Sequence, residues 1–270
     1  MPHEDETAPN ENENQTPPDG SGSRAVLVTG ASRGIGRAIA LAFAAQGDRV
    51  AVHWGGSRDR AEQVLAELPG TGHVLVQADL ADPDAVGAMV DDAAGRLGGL
   101  DVLVNNAGVF TAHPPLATSY EEWQAAWART LAVNLVGPAN ATFRALPHLI
   151  AAGGGVVVNV SSRGAFRGEP DNPAYGASKA GLNAFGQSMA IALAPHGIAV
   201  GTVAPGFVQT EMAREVLDGP GGDAVRAQSP YGRVATPAEV ASAVLWLASP
   251  GARFSTGTII DVNGASYLRS

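Results

Sequence analysis

Residues 25–36 read AVLVTGASRGIG: a short apolar run, glycines at positions 30, 34 and 36, and then Ala/Leu-rich sequence with helical spacing. Glycine in a turn between a first strand and a first helix lets the backbone approach a pyrophosphate closely. The helix that follows offers free N–H groups and the positive end of its dipole. A glycine cluster alone is a weak signal in a chain with 34 glycines. Its position after the first predicted strand indicates a dinucleotide-binding turn rather than a tight turn alone.

The same alternation continues through the chain. Apolar runs without polar alternation, which are typical of strands buried on both faces, recur at residues 25–28, 50–52, 74–76, 102–104, 156–158, 198–200 and 258–260. Stretches with helical spacing lie between them, at residues 36–46, 60–68, 85–97, 123–150, 175–194 and 238–247. The order strand, helix, strand predicts an α/β fold. We expect one doubly wound Rossmann domain over residues 24–270, with a seven-stranded parallel sheet and helices on both faces.

Composition and charge exclude several classes of protein. The 270 residues include no cysteine, which excludes a disulfide framework, a thiolate zinc site and a cysteine nucleophile. Residues 1–23 hold six of the 26 acidic residues and none of the 17 basic ones, so the net charge of −9 becomes −3 (20 against 17) for the body. We expect the acidic tail, residues 1–23, to be disordered, because it buries too little apolar area to offset chain entropy.

The same features bear on location and partners. The near-neutral body lacks the clustered Lys and Arg of a nucleic-acid surface. No apolar run approaches the ~18 residues of a membrane span, and the acidic tail lacks the basic start and apolar middle of a signal peptide. We therefore expect a cytoplasmic protein with no nucleic-acid and no membrane partner.

The tip of the second predicted strand bears on the choice of cofactor. A cofactor with a free ribose 2′-OH usually meets an acidic side chain there, but the first acid after this strand is Asp59. Arg33 in the glycine turn and Arg58 beyond the strand can both face a 2′-phosphate, which the planar guanidinium binds through two hydrogen bonds. This favours NADP(H) over NAD(H). For Arg58, simple solvation is an equal alternative.

One lysine stands among 17 basic residues, the other sixteen being arginine. Lys179 follows Tyr175 by four residues, so the two side chains share one face of a predicted helix, one turn apart. The unperturbed pKa of a phenol is about 10, and a neighbouring cation lowers it by stabilising the phenolate. Lys179 can therefore supply part of such a lowering of the Tyr175 pKa, together with the positive charge of an oxidised nicotinamide. Ser162 lies at the end of the fifth predicted strand, 13 residues before the tyrosine.

Together with Asn105-Asn-Ala-Gly108 after the fourth strand and Pro205-Gly206 after the sixth, these residues resemble the classical short-chain dehydrogenases/reductases over residues 24–270. The resemblance implies that Tyr175 exchanges a proton with the substrate oxygen and that Ser162 donates a hydrogen bond to it. It implies that Lys179 also binds the nicotinamide ribose, and that Asn134 holds a water linking the lysine to solvent. Taken alone, Asn134 inside a helix fits a kink or a polar surface position as well.

The resemblance also implies which residues contact the NADP(H) cofactor, besides Tyr175 and Lys179. They follow the first strands as Gly30, Ser32, Arg33, Gly34, Ile35, Gly36, Asp79 and Leu80, and the later strands as Asn106, Gly108, Pro205, Gly206, Val208 and Thr210. Arg58 is added to them on its charge and its position beyond the second strand alone.

Residues 207–233 are broken by glycine and proline and predict a mobile lid over the substrate. A mostly apolar pocket is expected from Phe110, Arg163, Phe166, Phe207 and Met212. The residue composition of this region is similar to that of 3-oxoacyl thioester reductases, so we expect an NADPH-dependent carbonyl reductase. The alternatives are a sugar or alcohol dehydrogenase working in the oxidative direction and a non-catalytic dinucleotide-sensing regulator. The intact Ser, Tyr and Lys set disfavours the regulator.

The sequence also bears on metal binding and on assembly. The six histidines show no metal-ligand spacing, so no metal site is expected. The resemblance implies a homotetramer that forms through the fourth and fifth helices.

Overall fold

The computed structural model describes residues 23–269. Its strands are β1 (Ala25–Val28), β2 (Arg49–Trp54), β3 (Val74–Gln77), β4 (Val102–Asn105), β5 (Gly155–Val160), β6 (Ile198–Pro205) and β7 (Ile259–Val262). They form one parallel sheet in the order β3-β2-β1-β4-β5-β6-β7. Val28 of β1 lies opposite Val52 on one side and Val104 on the other. The predicted seven-stranded parallel sheet is confirmed.

Helices cover both faces of this sheet. They are α1 (Gly34–Ala45), α2 (Arg58–Glu67), α3 (Pro83–Leu97), α4 (Tyr120–Leu131), α5 (Gly137–Ala151), α6 (Pro173–Leu193), α7 (Glu211–Asp218), α8 (Gly222–Arg226) and α9 (Pro237–Leu247). Successive strand residues point to opposite faces. Val26 and Val28 therefore pack with α1, α2 and α9, whereas Leu27 packs with α3, α5 and α6. Burial on both faces explains the uninterrupted apolar runs.

The long helix predicted over residues 123–150 is instead two helices, α4 and α5, joined by a π-helical turn at Ala132–Val136. Pro138 has no N–H to donate to the carbonyl of Asn134 four residues earlier, so the regular helical ladder is interrupted here. Gly137 packs close to the start of α3, where a Cβ would lie 2.7 Å from the carbonyl oxygen of Leu80. The turn directs the Asn134 side chain into the protein, where it is fully buried.

The segment predicted as a lid contains the two short helices α7 and α8. Its mobility stays a prediction. The expected disorder of the acidic tail lies, for residues 1–22, outside the described residues. Within residues 23–269, no helix combines the length and the apolar character that crossing a membrane requires.

Candidate active site

A cleft of about 570 Å³ opens at the carboxyl ends of the strands, where the strand order reverses between β1 and β4. Ligands of open α/β sheets bind at such a switch point. Of the predicted cofactor residues, all but Arg58 line this cleft. Ser162, Tyr175 and Lys179 line it as well, together with Phe110, Arg163, Phe207 and Met212 of the predicted pocket. The sheet thus brings together residues that lie far apart in the sequence.

The glycine turn forms one end of the cleft. Gly30 and Gly34 have φ of 63° and 57°, in the left-handed region that favours glycine. A Cβ on Gly36 would lie 2.3 Å from the carbonyl oxygen of Gly30, so no side chain fits there. Helix α1 starts at Gly34 without a side-chain cap. Its first N–H groups are therefore free for an anionic ligand.

Two buried polar residues hold the glycine turn in place. His53 on β2 accepts a hydrogen bond from the Gly30 N–H through Nδ1 (2.9 Å), and its Nε2 lies 3.1 Å from the carbonyl oxygen of Ala78. Burial lowers the pKa of His53 to about 4, so the ring is neutral at physiological pH. Asn106 donates through Nδ2 to the carbonyl oxygens of Thr29 (2.8 Å) and Gly30 (3.1 Å). Both residues therefore position the turn.

The other end of the cleft holds the tyrosine and the lysine on α6. Phe110 packs edge-on against Tyr175, with ring centroids 4.8 Å apart. Lys179 is 4% exposed and donates from Nζ to the carbonyl oxygen of Val160 (2.8 Å). Its Nζ lies 5.8 Å from the centroid of the Tyr175 ring. Ser162 Oγ accepts a hydrogen bond from the Gly164 N–H (3.0 Å), so its own hydroxyl hydrogen can be donated to Tyr175 or to a ligand.

Burial shifts the pKa values of Lys179 and Tyr175 in the directions that favour their neutral forms. It lowers the pKa of Lys179 to about 8, so the ammonium keeps its proton at neutral pH. It raises the pKa of Tyr175, an effect that a hydrogen bond with Ser162 opposes and the negative charge of Glu169 strengthens. The expected lowering of the Tyr175 pKa by Lys179 together with an oxidised nicotinamide stays a prediction. Among the groups that shift this pKa, Ser162 is the one that lowers it.

Asn134 does not line the cleft, and its amide is bonded within the protein. Its Oδ1 accepts from the Val109 N–H (2.8 Å), while Nδ2 donates to the Val109 carbonyl oxygen (3.0 Å) and to Ser178 Oγ (3.2 Å). Ser178 in turn donates to the carbonyl oxygen of Tyr175 (2.7 Å). The side chain therefore ties the π-helical turn to the start of α6. Its implied role in holding a water stays a prediction.

Besides Asn134, two predicted site residues do not line the cleft. Arg58 points out from the first turn of α2 and pairs with Glu62 (2.7 Å), and its side chain is 71% exposed. Phe166 lies under the guanidinium of Arg269, whose Cζ is 4.6 Å from the ring centroid. Residues beyond a strand end or in a short 3₁₀ turn have no periodicity that shows which way they face.

The structure adds charged residues at the mouth of the cleft that no pattern in the sequence indicates. Glu211 at the start of α7 pairs with Arg33 (3.5 Å) and with Arg60 on α2 (2.7 Å). Both arginines hold the pKa of the Glu211 carboxyl below its usual range, Arg60 more strongly. Arg129 on α4 donates to both carboxylate oxygens of Asp79 (2.9 and 2.8 Å). These pairs join residues 50 to 178 positions apart, so no local spacing indicates them.

The lining fits a nicotinamide dinucleotide. The glycine turn offers backbone N–H donors and no side chain in the way, as a pyrophosphate requires. Gly108 leaves room beside the lysine, since a Cβ there would lie 3.5 Å from Lys179 Nζ. Within residues 23–269, no group of three His, Asp or Glu side chains is arranged to bind a metal ion.

Comparison with known proteins agrees with this geometry. A family model described as enoyl-(acyl carrier protein) reductase matches residues 30–265. The chain is 38% identical over 248 residues to a 3-oxoacyl-(acyl-carrier-protein) reductase of Staphylococcus aureus, covering 91% of this chain and 99% of that protein. It is 40% identical over 243 residues to a cis-4-hydroxycyclohexanecarboxylate dehydrogenase of Sinomonas cyclohexanicum, covering 89% and 95%.

A solved structure has the same fold. A short-chain dehydrogenase of Burkholderia cenocepacia in complex with NADP superposes with a TM-score of 0.82 and 37% identity, covering 90% of this chain and 97% of that one.

Proposed function

The chain belongs to the classical short-chain dehydrogenase/reductase family, and we propose that it is an NADPH-dependent carbonyl reductase that acts on a ketone. A 3-oxoacyl thioester is one candidate for that ketone. The observation that carries the proposal is the buried ammonium of Lys179, one helical turn after Tyr175 and in the same cleft as Ser162. Its relatives at 36–40% identity are reductases and dehydrogenases, which support the reaction class.

In reduction, the chain has to deliver a proton to the carbonyl oxygen. The nicotinamide, when bound, supplies the hydride that forms the new C–H bond. Ser162 donates its hydroxyl hydrogen to the carbonyl oxygen and stabilises the negative charge that develops there. Tyr175 donates its phenolic proton to the same oxygen, which completes the alcohol and leaves a phenolate. Lys179, charged below pH of about 8, stabilises that phenolate and has two further hydrogens for the ribose hydroxyls.

The preference for NADPH rests on the charges near the tip of β2. Arg33 and Arg60 share the single carboxylate of Glu211, so one positive charge is left over at the mouth of the cleft. No acidic residue occurs at the tip itself, which reads Trp54-Gly-Gly-Ser57. A 2′-phosphate is an acceptor that such guanidinium groups bind strongly. We propose that these two arginines favour NADPH over NADH.

The oxidative direction is the second candidate. Two relatives are dehydrogenases, for cis-4-hydroxycyclohexanecarboxylate and for D-threitol. The same side chains serve both directions, because in oxidation Tyr175 takes up the alcohol proton as the phenolate that Lys179 stabilises. We favour reduction, since the proposed cofactor is kept mainly in its reduced form in cells. A non-catalytic regulator is disfavoured by the intact catalytic set.

Replacing Tyr175 with phenylalanine tests the proposal. The Y175F variant loses the phenolic proton and keeps the ring, so NADPH oxidation, followed by absorbance, should fall by about 100- to 10,000-fold. Binding of NADPH, followed by its fluorescence, should stay near the wild-type value. Tyr120→Phe, at an exposed position on α4, is the matched control. Unchanged turnover in Y175F would contradict the mechanism.

We also propose that the chain assembles as a homotetramer through the predicted fourth and fifth helices, which correspond to α4 with α5 and to α6 in the structure. Exposed apolar side chains on and next to α5 support this: Val136, Phe143 and Ile150, of which Phe143 is 71% exposed. Light scattering on the purified protein tests it, and a monomer would contradict it.

A further inference from the structure

Arg163 is an unusual residue for the wall of a substrate pocket. It follows Ser162 directly, lines the cleft and is only 5% exposed. Its Cζ lies 5.3 Å from the centroid of the Phe207 ring, in the geometry of a cation–π contact. Its Nη1 donates to Gln228 Oε1 and Ser266 Oγ, both at 2.8 Å. Neutral groups and an aromatic ring thus hold the guanidinium in one orientation beside the catalytic serine.

This buried cation has no anionic partner in the part of the chain that the structure describes. None of the ion pairs within residues 23–269 involves Arg163, and its Nε and Nη2 donate to no group there. Burial lowers the pKa of the guanidinium, and the positive charge of Arg167 lowers it further. An arginine nonetheless keeps its proton. Burying an unpaired charge is unfavourable, so the site favours an anion.

The negative charge of Glu169 acts on Arg163 and raises the pKa of the guanidinium, but the two side chains form no ion pair. Glu169 lines the same cleft but lies beyond ion-pair distance, and burial raises the pKa of its carboxyl. Because no hydrogen bond joins the two side chains, Glu169 compensates the charge of Arg163 only in part.

We propose that Arg163 binds a carboxylate carried by the substrate itself, which makes the substrate a keto acid in the reductive direction. This rests on the proposed function, since it orients the ketone towards Ser162 and Tyr175. Phe110, Phe207 and Met212 supply apolar contacts for the carbon skeleton between the two polar groups. A carboxylate suits a single guanidinium with two free donors. The cofactor phosphates are assigned to the glycine turn, at the other end of the cleft.

The test compares pairs of ketones that differ in one charge. Each of several cyclic and open-chain ketones is offered as the carboxylate and as its methyl ester, with NADPH, and an acetoacetyl thioester is the neutral reference. A charge-assisted hydrogen bond gives the wild-type protein an expected preference for the acid of about 10- to 100-fold in kcat/KM. In Arg163→Gln, the preference should fall to near one, through loss of activity on the acid and little change on the ester. Arg163→Lys should retain part of it.

Two controls separate binding from structure. Arg167→Gln removes an exposed guanidinium that contacts the same Gln228 and should leave the acid-to-ester ratio unchanged. Binding of acid and ester to the Y175F–NADPH complex, followed by NADPH fluorescence, needs no turnover and should show the same preference. If Arg163 only braces Gln228 and Ser266, Arg163→Gln will lower the melting temperature and affect acid and ester equally.

The outcomes distinguish the two proposals. Equal activity on acid and ester in the wild-type protein, or a preference for the neutral thioester, overturns the carboxylate site and leaves the reductase intact. If no ketone is reduced, the proposed function fails. The binding titration then decides on Arg163 separately, and equal binding of acid and ester overturns the site.

Discussion

The two ends of the cleft are built in different ways. At the catalytic end, Lys179 and Asn134 are buried and their polar atoms bond mainly to fixed backbone groups. At the end formed by the glycine turn, here called the adenosine end because the proposed cofactor would place its adenosine there, Arg33, Arg60 and Glu211 are about half exposed and bond to one another. Exposed ion pairs contribute little to stability. The charges at the adenosine end can therefore turn to a ligand at small cost, whereas those at the catalytic end are set by the fold.

The strongest test of this contrast is Lys179→Arg. It keeps the positive charge in a chain that uses arginine at all its other basic positions. A buried site fitted to a compact ammonium has no room for a planar guanidinium, and the contact with the Val160 carbonyl oxygen would be displaced. We expect kcat to fall by at least about 100-fold. Arg37→Lys, on the exposed face of α1, is the control, with kcat near wild type. An active Lys179→Arg variant would show that charge alone suffices there.

His53 is the exception at the adenosine end, because it is buried and holds the glycine turn. Its pKa is about 4 in the folded protein against 6.5 unfolded. The unfolded chain therefore binds the proton more tightly, and stability falls as the pH drops from 6.5 towards 4. The loss from this residue is at most about 3 kcal/mol. Well above pH 6.5, His53 is neutral in both states and this loss of stability is absent.

His53→Asn, which has no titrating ring, should remove this part of the pH dependence. The measurement is urea unfolding at several values between pH 4 and 7 for both proteins. Parallel curves for the wild type and the variant would show that His53 is not the group responsible.

The two ends also differ in what the sequence predicts. Tyr175 and Lys179 were predictable because four residues of helix fix their relation, and strand ends place Ser162 and the glycine turn at one edge of the sheet. The position of Asn134 required the π-helical turn, for which Pro138 was the available signal. The pairing of Arg33 with Glu211, 178 residues away, depends on how α7 folds back over the cleft. No local pattern contains that information, nor the burial of Arg163.

Arg60→Gln tests the proposed preference for NADPH. It removes one of the two guanidinium groups at the mouth of the cleft and leaves Arg33. We expect KM for NADPH to rise by about 10-fold, since a partly exposed charge-assisted hydrogen bond is lost. KM for NADH should hardly change. The effect should shrink at high salt, which screens exposed charges. Equal changes for both cofactors would indicate a structural role.

Arg58→Gln should have the smallest effect and gives Arg60 its matched control. The two arginines are two residues apart in the first turn of α2, and side chains at that spacing point to different sides of a helix. Arg60 reaches Glu211 at the cleft, so Arg58 faces solvent and pairs with Glu62 instead. We expect KM for NADPH to change by less than about twofold. A change as large as in Arg60→Gln would mean that the first turn of α2 changes its backbone conformation when the cofactor binds. The adenosine end would then rearrange in its backbone as well as in its side chains.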